Sequence, residues 1–427
     1  MIEFVSLFLA LVVGEQVVEL TASSQVAAIE LFLDGQLVQR LEEPPWRTPL
    51  DFGEGLQPHE LVAISLDATG GSLGEARQWV NFGRGLVEAR LSLGNGEDWP
   101  PRRARLHWQS FDGSRPLTVK VQFDGQQVEV NNEGAFDLPH YDAGKPHSLE
   151  AHLGFHAGLE ATAALSFGGV FGERVSSDLT AIPLFLQVDR MDFQVDEMHQ
   201  WFEASRVPLR VFSLKEGGES IYVIRDLNLP ERLTAPLRSE LSVRKLNRRK
   251  RESDSELYFL GTVPEFQWQG AVSTAIFKPY QLADRWRRRG LLSTLLRQRG
   301  PKGRTGQKQR IFDSAAVAGK LAAQSGVARA VLVLLDPETI DHSRLGLQDV
   351  AAYMESLRVP FFVWLRPDEA GQAPLENSGL IYSNLGEVAT RMAESLDSQF
   401  VVWLEGRLLP QQIELTDRAP ETVQLIP

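Results

Sequence analysis

Eight histidines and no cysteines set the first limits on the chemistry this chain can do. Without cysteine there is no disulfide, no thiolate metal site and no cysteine nucleophile. His59 and His147 each follow a proline and precede a strand-like run, so a turn role is the reading for both. His107, His140, His152 and His156 fall in β-patterned sequence without a ligand spacing such as His-Glu-x-x-His, which argues against zinc. The run GPKGRTGQKQR (300–310) has the glycines of a phosphate loop. It lacks the closing Gly-Lys-Ser/Thr and a preceding apolar strand, so it reads as a flexible loop. No Gly-x-Ser-x-Gly elbow or Ser-His-Asp arrangement can be picked out. The residues therefore name no catalytic centre, no cofactor and no metal, and the chain is not expected to be an enzyme.

Two charged groupings are left. One is basic. From Arg238 to Arg310 the count of Lys and Arg exceeds that of Asp and Glu by about 12. It includes Arg248, Arg249, Lys250, Arg251, Arg287 and Arg288, with Trp286 among them. Such a patch could neutralise phosphates and stack a base, and polyanion or nucleic-acid binding is one alternative function. Leu291, Leu292, Leu295 and Leu296 have helix-like spacing, so the charges also fit the solvated face of an amphipathic helix. The other grouping is acidic: Glu265, Asp336, Glu338 and Asp341, whose readings are a rebuilt, looser cation site or, more simply, solvated loop charges. An undetected hydrolase using paired carboxylates is the third alternative. The overall charge of -12 argues against nucleic acid as the general partner.

The elements around these residues change character along the chain. Residues 28–38 read AIELFLDGQLV and residues 118–128 read TVKVQFDGQQV. Both alternate apolar and polar residues up to Asp-Gly, the signal for a tight hairpin turn. Downstream, Pro58-His59-Glu60-Leu61 and Pro146-His147-Ser148-Leu149 each open another strand at nearly the same distance. The repeat unit is about 90 residues, the size of an immunoglobulin-like sandwich. Residues 15–83 and 84–180 are the two expected sandwiches, and 181–235 a small β-rich connector with a short helix over 191–204. Residues 236–412 then alternate helices with buried strands, AVLVLLD (330–336), PFFVWLR (360–366) and FVVWLEG (400–406). That is the pattern of a doubly wound α/β domain with a basic insertion, its first strand at 256–260. Residues 413–427 form a tail.

The C-terminal pattern resembles a von Willebrand factor A domain, on IFDSAAVA, on AVLVLLDPETIDHSRLGLQDV and on SNLGEVATRMAESLDSQFVVWL. The whole chain is similar to bacterial, acidobacterial-type von Willebrand factor A-related proteins, whose sandwich modules precede the A domain. That likeness rests on Asp34, Gly35, Pro44, Pro45, Trp46, Arg47, Leu61, Ala63, Asp67, Ala68 and Gly70, and on FGGVFGERVSSDLTAIPL (167–184). The resemblance implies a Mg²⁺ site built from Asp-x-Ser-x-Ser, a Thr and an Asp, all hard oxygen ligands. With the first strand at 256–260, Gly261, Val263 and Glu265 stand where the first three ligands belong, and Gln309 or Arg310 where the Thr belongs. Asp336 alone matches. The expectation is a degenerate A domain without an intact metal site, binding a protein partner through a rim of Thr262, Glu265, Asp336 and Glu338.

The N-terminus has two readings. Phe4 to Val13 has the length of a signal-peptide h-region, or it begins the first strand. The first reading implies secretion or the cell envelope, the second the cytoplasm. No stretch reaches the ~20 apolar residues of a membrane span. Non-enzymatic protein binding, scaffolding or adhesion is the function these features favour.

Overall fold

A computed structural model describes residues 2–6, 8, 11–82, 87–93, 102–110, 115–131, 133–142, 144–155, 160–168, 179–186, 195–215, 218–230, 255–269, 272–283, 308–367, 381–406 and 408–426. The chain forms two compact units. One holds residues 1–83, 181–404 and 408–427; the other holds 84–180 with 405–407.

The first unit opens with a β-sandwich. Its smaller sheet has the order Ile2–Phe4, Glu15–Ala22, Arg47–Asp51. Its larger sheet has the order Gln36–Leu41, Ala28–Leu33, His59–Leu66, Ser72–Val80. All these pairings are antiparallel. Alternation drives the arrangement: Val18 and Leu20 point inward while Val17 and Glu19 are exposed. They meet Ile29, Leu31, Leu61, Ala63 and Val80 in one core. Ile2–Phe4 pairs with Leu20–Ala22, so these N-terminal residues form a strand here. The Asp34-Gly35 turn has positive φ at both residues, 50° and 79°, as a two-residue hairpin requires.

The second unit repeats this plan. Four strands run in the order Gln126–Val128, Thr118–Phe123, Pro146–Gly154, Glu160–Gly168, and three in the order Ala135–Asp137, Arg103–Ser110, Val87–Leu93. Leu106, Val121, Leu149, Leu153 and Phe167 fill the space between the two sheets. Asp124 and Gly125 repeat the turn with φ of 48° and 79°. The chain is thus a multidomain protein with β-sandwich modules.

The rest of the first unit is built on a six-stranded sheet with the order Pro279–Ala283, Ser255–Leu260, Glu219–Arg225, Ala328–Leu335, Phe361–Leu365, Ile381–Tyr382. Neighbours are parallel except at the first pair. Side-chain alternation splits the core in two. Tyr222, Ile224, Val331 and Val333 face helices Ile311–Ala323 and Leu347–Ser356. Ile221, Val223, Leu332 and Leu334 face helix Leu385–Asp397. Both faces are covered, which is why these strands read as unbroken apolar runs. Leu56, Leu11, Val13 and Phe82 of the first sandwich join the core around Tyr353, whose hydroxyl donates to the Asn81 carbonyl. The sandwich and the α/β part therefore share one hydrophobic core.

Four expectations are corrected. The sheet's first strand in chain order is Glu219–Arg225 rather than 256–260, and it lies at the centre. Gln399–Glu405 is not in this sheet. It pairs with Val211–Lys215 and lies beside Leu179–Leu186 and Val423–Leu425 in a separate sheet. Ile413–Leu415 pairs with Phe202–Ala204, so the expected tail is built into sheets, and helix is confined to Val195–Met198 within the described part of 191–204. The physical reason is common to the three that concern strands. An apolar run reports burial and strand length, not which sheet buries it.

Candidate functional site

In chain order the six strands run 3-2-1-4-5-6 across the sheet, so the order reverses between Glu219–Arg225 and Ala328–Leu335. Ligands of open α/β sheets bind at such a reversal, beyond the C-terminal ends of the strands. Asp226 follows the first of these strands and Asp336 the second.

Asp226 is buried at 1% exposure and accepts four hydrogen bonds. One carboxylate oxygen takes the Gln309 amide (2.9 Å) and the Asn228 backbone N–H (2.8 Å). The other takes the Asp336 backbone N–H (3.0 Å) and the Thr339 hydroxyl. A carboxylate has about four lone-pair sites, so this one is filled by its own protein. The Gln309 side-chain oxygen accepts from the Leu227 N–H (2.8 Å) and the Thr262 hydroxyl (3.0 Å). Asp336 uses one oxygen to accept the Glu338 N–H (3.1 Å), and the other stands 2.7 Å from the Arg366 guanidinium. The Asp336 side chain is buried, whereas that of Arg366 is 41% exposed. Asp226 is thus held by N–H groups and one hydroxyl, and Asp336 by one backbone N–H and the charge of Arg366, with Asp336 Oδ2 accepting no hydrogen bond among the described residues.

The acidic loop has a second task. Asp341 accepts the Ile311 N–H (2.8 Å), and the Ser343 hydroxyl accepts from Phe312 (2.9 Å) and Asp313 (3.1 Å). These are the unpaired N–H groups that open helix Ile311–Ala323. In return Asp313, on the helix, accepts from the Arg344 and Leu345 N–H groups and pairs with Arg310. The loop and the helix start therefore cap each other across a gap of about thirty residues.

Of the four expected rim residues, Thr262 and Asp336 belong to one network through Gln309 and Asp226. Glu338 is exposed and joins through its backbone alone. Glu265 belongs elsewhere, starting the hairpin Glu265–Gln269 and Val272–Ile276 and pairing with Lys278 at 2.6 Å. The loop after the first strand in chain order begins with Asp226 rather than Gly261. Asp226, Asn228, Thr339 and Arg366 were missed. The available signal was the run SIYVIRD, an apolar strand ending in Asp just as AVLVLLD does. Arg248, Arg249, Lys250, Arg251, Arg287 and Arg288 lie outside the described residues.

No family model and no curated protein matches this chain. Parts of it are similar to solved structures. The fibronectin(III)-like modules of Clostridium thermocellum CbhA match at 19% identity over 19% of this chain and 93% of that one, with a TM-score of 0.17. The central fibronectin-III array of RIM-binding protein matches at 11% identity over 47% of this chain and 82% of that one, with a TM-score of 0.23. A tetra-tandem repeat from the extending region of a large adhesion protein matches at 10% identity over 47% and 53%, with a TM-score of 0.15. Likeness at these TM-scores carries no weight, and the sandwich assignment rests on the strand orders given above. Among the described residues no helix is long and apolar enough to cross a membrane.

Proposed function

We propose that this chain is a non-enzymatic binding or scaffolding protein whose α/β part is a von Willebrand factor A-like domain with its metal site replaced by protein groups. The observation that carries this reading is the saturation of Asp226. Its four acceptor sites hold four protein donors, and Asp336, whose Oδ2 accepts no hydrogen bond among the described residues, is paired in charge with Arg366. A carboxylate filled as Asp226 is offers no lone pair to a cation and no free oxygen to a substrate proton. The antiparallel edge strand and the acidic residues at the strand-order reversal also support the A-like reading. Partner contact falls on what the same edge leaves exposed: Glu338, Ile340 at 73% exposure, and Arg366. A secreted or envelope location is part of this reading.

The test is capture of envelope proteins on the immobilised full chain, beside the double variant Glu338→Lys/Ile340→Asp. Both positions are exposed, so the fold is expected to be unchanged. A protein retained by the wild type and lost from the variant supports the rim. Equal retention by both places binding elsewhere and overturns it.

A further inference from the structure

The two sandwich modules share a contact that neither their cores nor the α/β site explains. In the first, His59 Nδ1 lies 2.7 Å from Asp34 Oδ2 and Nε2 lies 3.1 Å from the Phe52 carbonyl oxygen. In the second, His147 Nδ1 lies 2.6 Å from Asp124 Oδ2 and Nε2 lies 2.8 Å from the Asp142 carbonyl oxygen. The other aspartate oxygen accepts the next backbone N–H in each module, Glu60 and Ser148, both at 2.8 Å. The aspartate N–H returns to the carbonyl of that same residue, at 2.9 Å in both. Each ring therefore ties three things together: the Asp-Gly hairpin tip, the loop leading into the strand, and the first residues of that strand.

Both ring nitrogens face oxygen acceptors. A neutral imidazole has one N–H and one lone pair, so it can donate to only one of the two. Only the imidazolium ion donates to both. We propose that Asp124–His147 is a protonation-dependent latch, closed while the ring is charged and opened on one side when it loses a proton. Opening loosens the hairpin tip and its facing loop at one end of the second sandwich and leaves the buried core in place.

The surroundings of the His147 ring fit this role. Around His147 stand Asp124 on the turn, Asp142 in the loop with Lys145 3.8 Å from its carboxylate, and the Tyr141 phenol. Phe123 stacks on the ring at 5.3 Å and Phe167 lies tilted at 5.9 Å. Around His59 stand Asp34, the Phe52 ring at 5.9 Å and, next along the strand, Glu60 with its partner Arg77. The His147 side chain is only 9% exposed. Burial by itself would lower its pKa, but the hydrogen bonds and charges of Asp124 and Asp142 outweigh this and raise it above the usual 6.5. A histidine with a raised folded-state pKa adds stability that is complete below its unfolded value. That stability is lost as pH climbs through the folded value. The second module is thus firmest in mild acid and weakens across neutral pH.

The test uses the ¹⁵N-labelled full chain, with the ring nitrogens of His147 followed from about pH 5 to about pH 9 by long-range ¹H–¹⁵N correlation. The expected result is two protonated-type nitrogens on the His147 ring at about pH 6, converting to one on deprotonation. A neutral His147 ring in the folded protein at that pH overturns the proposal. The second measurement is thermal unfolding of the wild type and of His147→Phe, which keeps a ring for stacking. A wild-type melting temperature that falls by about 4 °C or more between mild acid and mild base, with the fall abolished in the variant, supports the latch. The same fall in both proteins overturns it.

Discussion

Replacing Asp226 is the sharpest way to tell a protein-satisfied carboxylate from an ion ligand. Asp226→Ala removes the acceptor for the Gln309 amide, the Asn228 and Asp336 N–H groups and the Thr339 hydroxyl. The Thr339 hydroxyl is only half-buried and can turn to another acceptor, leaving three donors to count. Hydrogen bonds to a charged group contribute about 1.5–3 kcal/mol each, so the expected loss is about 4–6 kcal/mol with some relief from entering water. That is a large part of the roughly 5–15 kcal/mol that holds a domain together. Asp226→Asn keeps one oxygen and sets an NH₂ group against one donor pair, so about half that loss is expected. Hydrogen exchange read by mass spectrometry over Glu219–Arg225 and Ala328–Leu335 isolates this sheet from the sandwiches. In the same assay the wild type is expected to respond equally in EDTA and in excess Mg²⁺. An ion binding the native state at about 100 times its Kd would add about 2.7 kcal/mol. A rise in wild-type protection with Mg²⁺ would refute the reasoning, and so would an Asp226→Ala protein as protected as the wild type.

Two further substitutions probe how the first unit is held together. Leu56 is 1% exposed and sits in the α/β core although it belongs to the first sandwich, so Leu56→Ala is expected to cost about 2–5 kcal/mol. Faster exchange should appear in Leu347–Ser356 as well as in the sandwich strands, and an effect confined to the sandwich would break the shared-core account. Gly326 has φ +61°, and an added Cβ would stand 2.5 Å from the Trp403 ring, so Gly326→Ala combines backbone strain with overpacking. The expected loss is about 2–4 kcal/mol by denaturant titration.

What the sequence disclosed and what it concealed follow from the range of the interactions. The sandwich repeat was legible because its signals are local. Two-residue alternation ends at Asp34-Gly35 and at Asp124-Gly125, and each turn is completed by a histidine about 25 residues on. Even so, the histidines read as turn residues, and their pairing with the aspartates needed coordinates. The site at the strand-order reversal is assembled from segments far apart. Asp336 reaches Asp226 across 110 residues and Gln309 reaches it across 83. No spacing rule joins such residues. The site was then displaced by one choice, since 219–225 and 256–260 are equally strand-like runs. Thr262 and Asp336 lie in the Asp226 network because both border the same edge of the sheet, whereas Glu265 lies in a separate hairpin.

On the proposed reading, Arg366 explains why the site needs no ion. Two buried carboxylates whose strand ends adjoin repel each other unless a positive charge or a set of donors compensates them. A bound dication would do this reversibly, so the loops would tighten or loosen with ion supply. A guanidinium at 2.7 Å from Asp336, reached from the strand that pairs with Ala328–Leu335, does it with a charge that belongs to the protein. The loop from Asp336 to Leu345 is fixed twice more, by Asp226 at one end and by the mutual cap with helix Ile311–Ala323 at the other. That helix packs in turn into the core shared with the first sandwich. A rim anchored at each of these points presents one surface whatever the ions around it. Such constancy suits a scaffold, whose partner should meet the same face each time, better than a switch, which needs two.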